Sequence, residues 1–145
     1  MRAALRGYGR SMGQPPSYPF TPKSNRYLRP GDYWAVPLAD GRYACGRVMA
    51  VPAFGPRDRK GIVVGLMDWV GAAPPTSDAI AGCVVVAEAK ARFEAIVNTG
   101  GAVLGNRPLA VDGIVSTYPR DEAGGNSVRV WGWKTIVNES EKHFA

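Results

Sequence analysis

The turn pair Asp40-Gly41 constrains this chain more than any other feature, because it sits between two β-prone runs, DYWAVPL (32–38) and YACGRVMAV (43–51). Asp-Gly suits the positive φ angles of a two-residue hairpin loop, so the chain is expected to fold back on itself as an antiparallel pair. With 40–41 as the loop, Leu38 faces Tyr43, Val36 faces Cys45 and Trp34 faces Arg47, all on one side. Cross-strand neighbours of this kind contribute about 0.2–1 kcal/mol each, and Trp34 with Arg47 adds a cation–π contact. Two strands alone are marginal in water, so the pair needs further elements to cover its apolar face.

The rest of the chain supplies them in short pieces. IVVGLMDWV (62–70) places apolar groups on both faces and predicts a central, doubly covered strand. The following segment, 71–82, reads as a loop with one helical turn, capped by Thr76 or Ser77. Residues 83–97 admit two readings. One is a strand over 83–87 and a helix over 88–97, with Ala89, Phe93, Ile96 and Val97 at helical spacing and a stop at Asn98 and Gly100-Gly101. The other is a single helix from 83. A short strand over 102–105 precedes two more, 114–118 and 127–133, joined by a polar loop. In the last strand Arg129, Trp131 and Trp133 share a face. The expected fold is strand-dominated α+β: a twisted antiparallel sheet or partly open barrel of about six strands, with one or two short helices.

Charge divides the chain unevenly. Residues 1–30 contain Arg2, Arg6, Arg10, Lys23, Arg26 and Arg29 and no acidic residue, whereas the remainder is balanced, so the net +6 belongs to the first 30 residues. Pro15, Pro16, Pro19 and Pro22 interrupt helix and strand alike there. The organisation expected is a flexible basic leader over 1–30, one β-rich domain over 31–138 and a frayed tail over 139–145. A neutral body is a poor surface for tracking phosphates, which leaves the leader cations as the route to nucleic acid. Apolar runs are too short to span a membrane and the N-terminus lacks the apolar stretch of a secretory signal, so a cytoplasmic protein is expected.

Residues that could carry chemistry are sparse. His143 is the sole histidine and is third from the C-terminus, a poor place for the base of a nucleophilic triad. Cys45 and Cys83 lie in apolar runs and are expected to be buried, inert thiols; two cysteines and one histidine make no zinc site. The glycines of TGGAVLGNR match the outer spacing of a phosphate loop, but Asn106-Arg107 stands where lysine and a hydroxyl are required. Asp32, Asp68, Glu88 and Asp112 remain as carboxylates in or beside ordered elements. Asp68 interrupts an apolar run, so an ion pair with Arg47 or Arg107 is expected. No metal or cofactor is expected, and the protein is read as a binding protein and not an enzyme. The surfaces expected to bind are Arg42, Tyr43 and Arg47 on the hairpin, and Arg129, Trp131 and Trp133 on the last strand; aromatic and arginine residues of this kind serve both protein hot spots and base stacking.

The hairpin also resembles the N-terminal signature of the immunity protein 26 family of bacterial polymorphic toxin systems. The matching residues are Gly31-Asp32, Pro37-Leu38, Asp40-Gly41-Arg42-Tyr43 and Gly46-Arg47-Val48, with a weaker echo in AVLGNRPL (102–109). The chain departs from the family in having Gly101-Ala102-Val103 where members often carry a tryptophan. The resemblance implies a non-catalytic intracellular protein that neutralises a toxin by binding it. Two other readings stand beside it: a small nucleic-acid-binding β domain that uses the leader and exposed tryptophans, and an assembly protein whose leader docks on a neighbouring subunit.

Overall fold

The hairpin forms, but its register is moved by one residue. In the computed structural model, which describes residues 14–115 and 130–145, strand β1 (Asp32–Pro37) pairs antiparallel with β2 (Tyr43–Ala50), and Trp34 lies opposite Gly46 while Tyr33 lies opposite Arg47. Leu38 N–H donates to the Arg42 carbonyl at 2.9 Å. The loop therefore has three residues, Ala39 to Gly41, with Gly41 at φ +89°, the left-handed residue that a three-residue hairpin loop calls for. A one-residue slip sends every side chain to the opposite face. Trp34 and Arg47, expected to face each other, point to opposite sides of the sheet.

Strands β3 (Gly61–Gly71), β4 (Val85–Arg92) and β5 (Val103–Asn106) complete an open antiparallel sheet in the order β4-β3-β2-β1-β5. β3 has the expected place, between two neighbours and buried on both faces from Gly61 to Met67. Of the two readings of 83–97, the single helix is overturned and the strand followed by a helix holds with its boundary moved: the strand β4 runs five residues past the expected end and only Glu94–Val97 form a helix, α1. Pairing with β3 from Gly61–Arg92 to Met67–Val85 overrides the helix preference of Ala, Glu, Lys and Arg.

The two faces are covered differently. One holds Trp34, Val36, Val48, Ile62, Val64, Leu66, Ala89 and Phe93. It packs beneath α1, a C-terminal helix α2 (Thr135–His143) and residues 14–30. The other holds Tyr33, Cys45, Met49, Val63, Met67 and Ile80, covered by the 76–83 loop and a 3-10 turn over Leu109–Asp112. Within the first face Gly46 makes room for Trp34: a Cβ there would stand 2.4 Å from the indole. The indole N–H donates to Thr99 Oγ1 at 3.0 Å, so the buried ring keeps its hydrogen bond.

Both expected loose ends are tied down where they are described. Phe20 exchanges backbone hydrogen bonds with Val103 at 2.8 and 3.1 Å, and Leu28 is buried. The expected frayed tail lies on α2, whose Ile136 and Ser140 are buried. The Ala39 N–H donates to Glu141 at 2.8 Å, and Arg42 donates to the Phe144 carbonyl at 2.9 Å.

Candidate functional site

The most constructed polar centre lies under the second face, where β2 meets the 3-10 turn. Alternation along β2 points Arg47 inward beside Cys45 and Met49, and its side chain is 0% exposed. A guanidinium cannot shed its charge there, so it needs acceptors. Asp112, 1% exposed, sits 3.0 Å from Nη1, and the Arg107 and Pro108 carbonyls accept from Nη2. Arg107 grips the same carboxylate with two hydrogen bonds, Nε to Oδ2 at 2.8 Å and Nη2 to Oδ1 at 2.9 Å. The Gly82 N–H adds a third donor at 2.9 Å. Arg107, the Gly82 amide and Arg47 together hold the Asp112 carboxyl well below the ordinary carboxylate range, against the opposing effect of burial. Two cations share one anion, and among the described residues Arg47 Nε and Nη1 have no hydrogen-bond partner of good geometry.

A second polar knot adjoins it. Asp32 is fully buried. It accepts from Tyr18 OH at 2.6 Å, the Arg29 N–H at 2.9 Å and Asn106 Nδ2 at 2.9 Å. Asn106 also reaches the Pro30 carbonyl, and the Arg107 N–H donates to the Gly31 carbonyl at 3.0 Å. Gly31 stands at φ +97°, and a Cβ would meet the Arg107 carbonyl at 2.5 Å. These contacts pin the start of β1 to the end of β5.

The expected ion pair of Asp68 with Arg47 or Arg107 does not form. Asp68 lies where β3 emerges from the core, half-exposed, with His143 Nε2 at 3.0 Å, while both arginines are committed to Asp112. Sequence reasoning placed Asp112 among several carboxylates and singled out Asp68 instead. Its five-residue spacing from Arg107 across a 3-10 turn follows no regular period that would single it out.

The residues expected to bind a partner do not form one surface. Arg47 is interior, and Arg42 is engaged by Asp40 at 2.7 Å and by the end of α2. Tyr43 is half-buried. Trp131 belongs to the core at 8% exposure, whereas Trp133 is 47% exposed. No strand runs through 131–133; Val130 makes one isolated parallel bridge to Lys90. Arg129 and most of the strands expected over 114–118 and 127–133 lie outside the described residues, as do Arg2, Arg6 and Arg10. Of the remaining leader cations, Arg26 lies over the Tyr27 ring and Arg29 donates to Tyr18 OH at 2.7 Å.

Cys45 is buried and its thiol is pushed up by desolvation; Cys83 is half-buried and shifted the same way for the same first cause. Among the described residues no group of His, Cys, Asp and Glu could hold a metal ion, and no helix is long and apolar enough to cross a membrane. No family model, curated protein or solved structure matches the chain.

Proposed function

We propose that the protein is a non-catalytic binding module that neutralises a bacterial toxin by direct contact, as its likeness to the immunity protein 26 signature implies. The observation that supports this reading is the convergence of the two segments that carry the resemblance. Asp32 lies 74 residues before Asn106 and Arg47 lies 60 before Arg107, yet Asn106 binds Asp32, Arg107 binds Gly31, and Arg47 donates to the Arg107 carbonyl. Gly31 N–H closes the ring on the Val48 carbonyl at 2.8 Å. Gly31, Asp32, Gly46, Arg47 and Val48 of the signature thus have architectural tasks, which suits a scaffold whose outer surface is left to specify the partner.

Co-expression with the protein encoded by the adjoining upstream gene tests the proposal. Protection of the host cell, with both proteins eluting as one complex, is the expected result. A harmless upstream product, or a toxic one that kills regardless and elutes separately, would reject it.

A further inference from the structure

We propose that the groove between the 52–61 loop and residues 130–132 is the docking surface, and that it receives an acidic segment of a protein partner, an apolar side chain flanked by carboxylates. This rests on the binding-module reading above. The groove encloses about 770 Å³. Its apolar lining is Ala91 and Trp131, both buried, with Phe54 at 50% exposure and Val130 at 66%. Four exposed cations, Arg57, Arg59, Lys60 and Arg92, stand on the rim, and among the described residues none of them has an ion-pair partner.

Among the described residues the one carboxylate lining the groove, Asp58, does not pair with them. Asp58 turns inward and accepts from the N–H groups of Phe54 (3.1 Å), Lys60 (2.9 Å) and Gly61 (2.9 Å). Asn25 braces the loop from behind, its Nδ2 donating to the Asp58 and Gly61 carbonyls at 3.0 and 2.9 Å. The loop is thus held before anything binds, which lowers the entropy lost on docking. An apolar centre within a charged rim is the anatomy of a protein interface, and unopposed cations select and steer an acidic partner.

A nucleic acid fits less well. Base stacking needs open aromatic faces, but Trp131 is buried and Lys90 lies 5.5 Å from the Phe54 ring centroid. Val130, the most exposed part of the apolar lining, offers no ring. Adjoining the groove, Arg92, Trp131 and Gly132 also line a smaller cleft of about 320 Å³, shared with Glu94, Ala95, Asn98 and Trp133.

The test uses the full chain and a short fluorescein-labelled peptide in which aspartate and glutamate flank a leucine–phenylalanine pair. Anisotropy should rise saturably at low salt. Lys60→Glu with Arg92→Glu should weaken binding about tenfold or more, as should Val130→Asp, and a peptide with asparagine and glutamine in place of the acids should bind at least about tenfold more weakly. No saturable binding, equal binding of the neutral peptide, or undiminished binding by the variants would overturn the proposal. So would tighter binding of a single-stranded oligonucleotide, or a dimer in light scattering that the double reversal dissolves, which would assign the groove to nucleic acid or to a second copy. The Lys60→Glu, Arg92→Glu chain is then carried through the co-expression assay. Full protection by it would remove the groove from the interface while leaving the toxin-binding reading intact; failure of the unaltered chain to protect would reject that reading, and the peptide titration then decides the groove alone.

Discussion

Arg47 and Arg107 meet one carboxylate in the interior, whereas among the described residues Arg57, Arg59, Lys60 and Arg92 line an apolar groove whose one carboxylate, Asp58, pairs with none of them. Both groups flank the same sheet and carry the same sign of charge. The difference is whether the chain provides the acceptor. Where Asp112 and two carbonyls are built in, the guanidinium becomes a structural tie between β2 and the 3-10 turn. Where Asp58 is spent on its own backbone, the charge is left to act outward. Charge type and number alone do not separate these outcomes, since Arg57 and Arg59 are as close to Asp58 in sequence as any pair in the chain.

Breaking the interior group should have the largest effect. Asp112→Ala leaves the buried Arg47 without its counterion, a loss of about 3 kcal/mol in urea unfolding, near the low end for a severed buried pair because the Arg107 and Pro108 carbonyls still hold the guanidinium. Gly46→Ala tests the opposite face of the same strand: its methyl group would collide with Trp34, at a cost of about 1–3 kcal/mol in the same assay. Acid should reveal the interior pair without mutation. Asp112 is held below the ordinary range, so the unfolded chain binds its proton more readily; the stabilisation is complete above about pH 4 and is lost as pH falls through the folded value. Asp112→Asn should flatten that acid limb in a series of unfolding midpoints. The smallest effect on folding belongs to the groove: Lys60→Glu with Arg92→Glu should change stability by no more than about 0.5 kcal/mol per site, measured by the same titration. A large loss there would mean that the rim cations are structural too.

Much of the fold was legible, and what was missed has identifiable causes. The sheet, the position of β3 and the short β5 follow from apolar runs and turn residues. The hairpin was legible as a hairpin, but Asp-Gly serves a two- or a three-residue loop, and that single residue decides whether Trp34 and Arg47 share a face. In β4 the period was present all along: Ala87, Ala89, Ala91 and Phe93 alternate with Glu88, Lys90 and Arg92. Helix-forming side chains masked it, and only pairing with β3 settles the conformation. Helix α2 was read as a frayed end because its anchors, Ala39, Arg42 and Asp68, lie some 70 to 100 residues away. The candidate surface was the least legible part. Arg57, Arg59 and Lys60 stand together in the sequence, but nothing local places them beside Trp131.

The two thiols give the molecule an internal clock. Cys45 sits in the middle of β2, closed on both sides by β1 and β3, while Cys83 lies half-open on the approach to β4. An alkylating reagent should label half-buried Cys83 before buried Cys45, which it should reach only when the centre of the sheet comes apart. Labelling therefore proceeds in two phases, a fast one set by reagent chemistry and a slow one set by how often the whole domain opens. The ratio of the two reads conformational opening under native conditions, without denaturant and without an introduced probe.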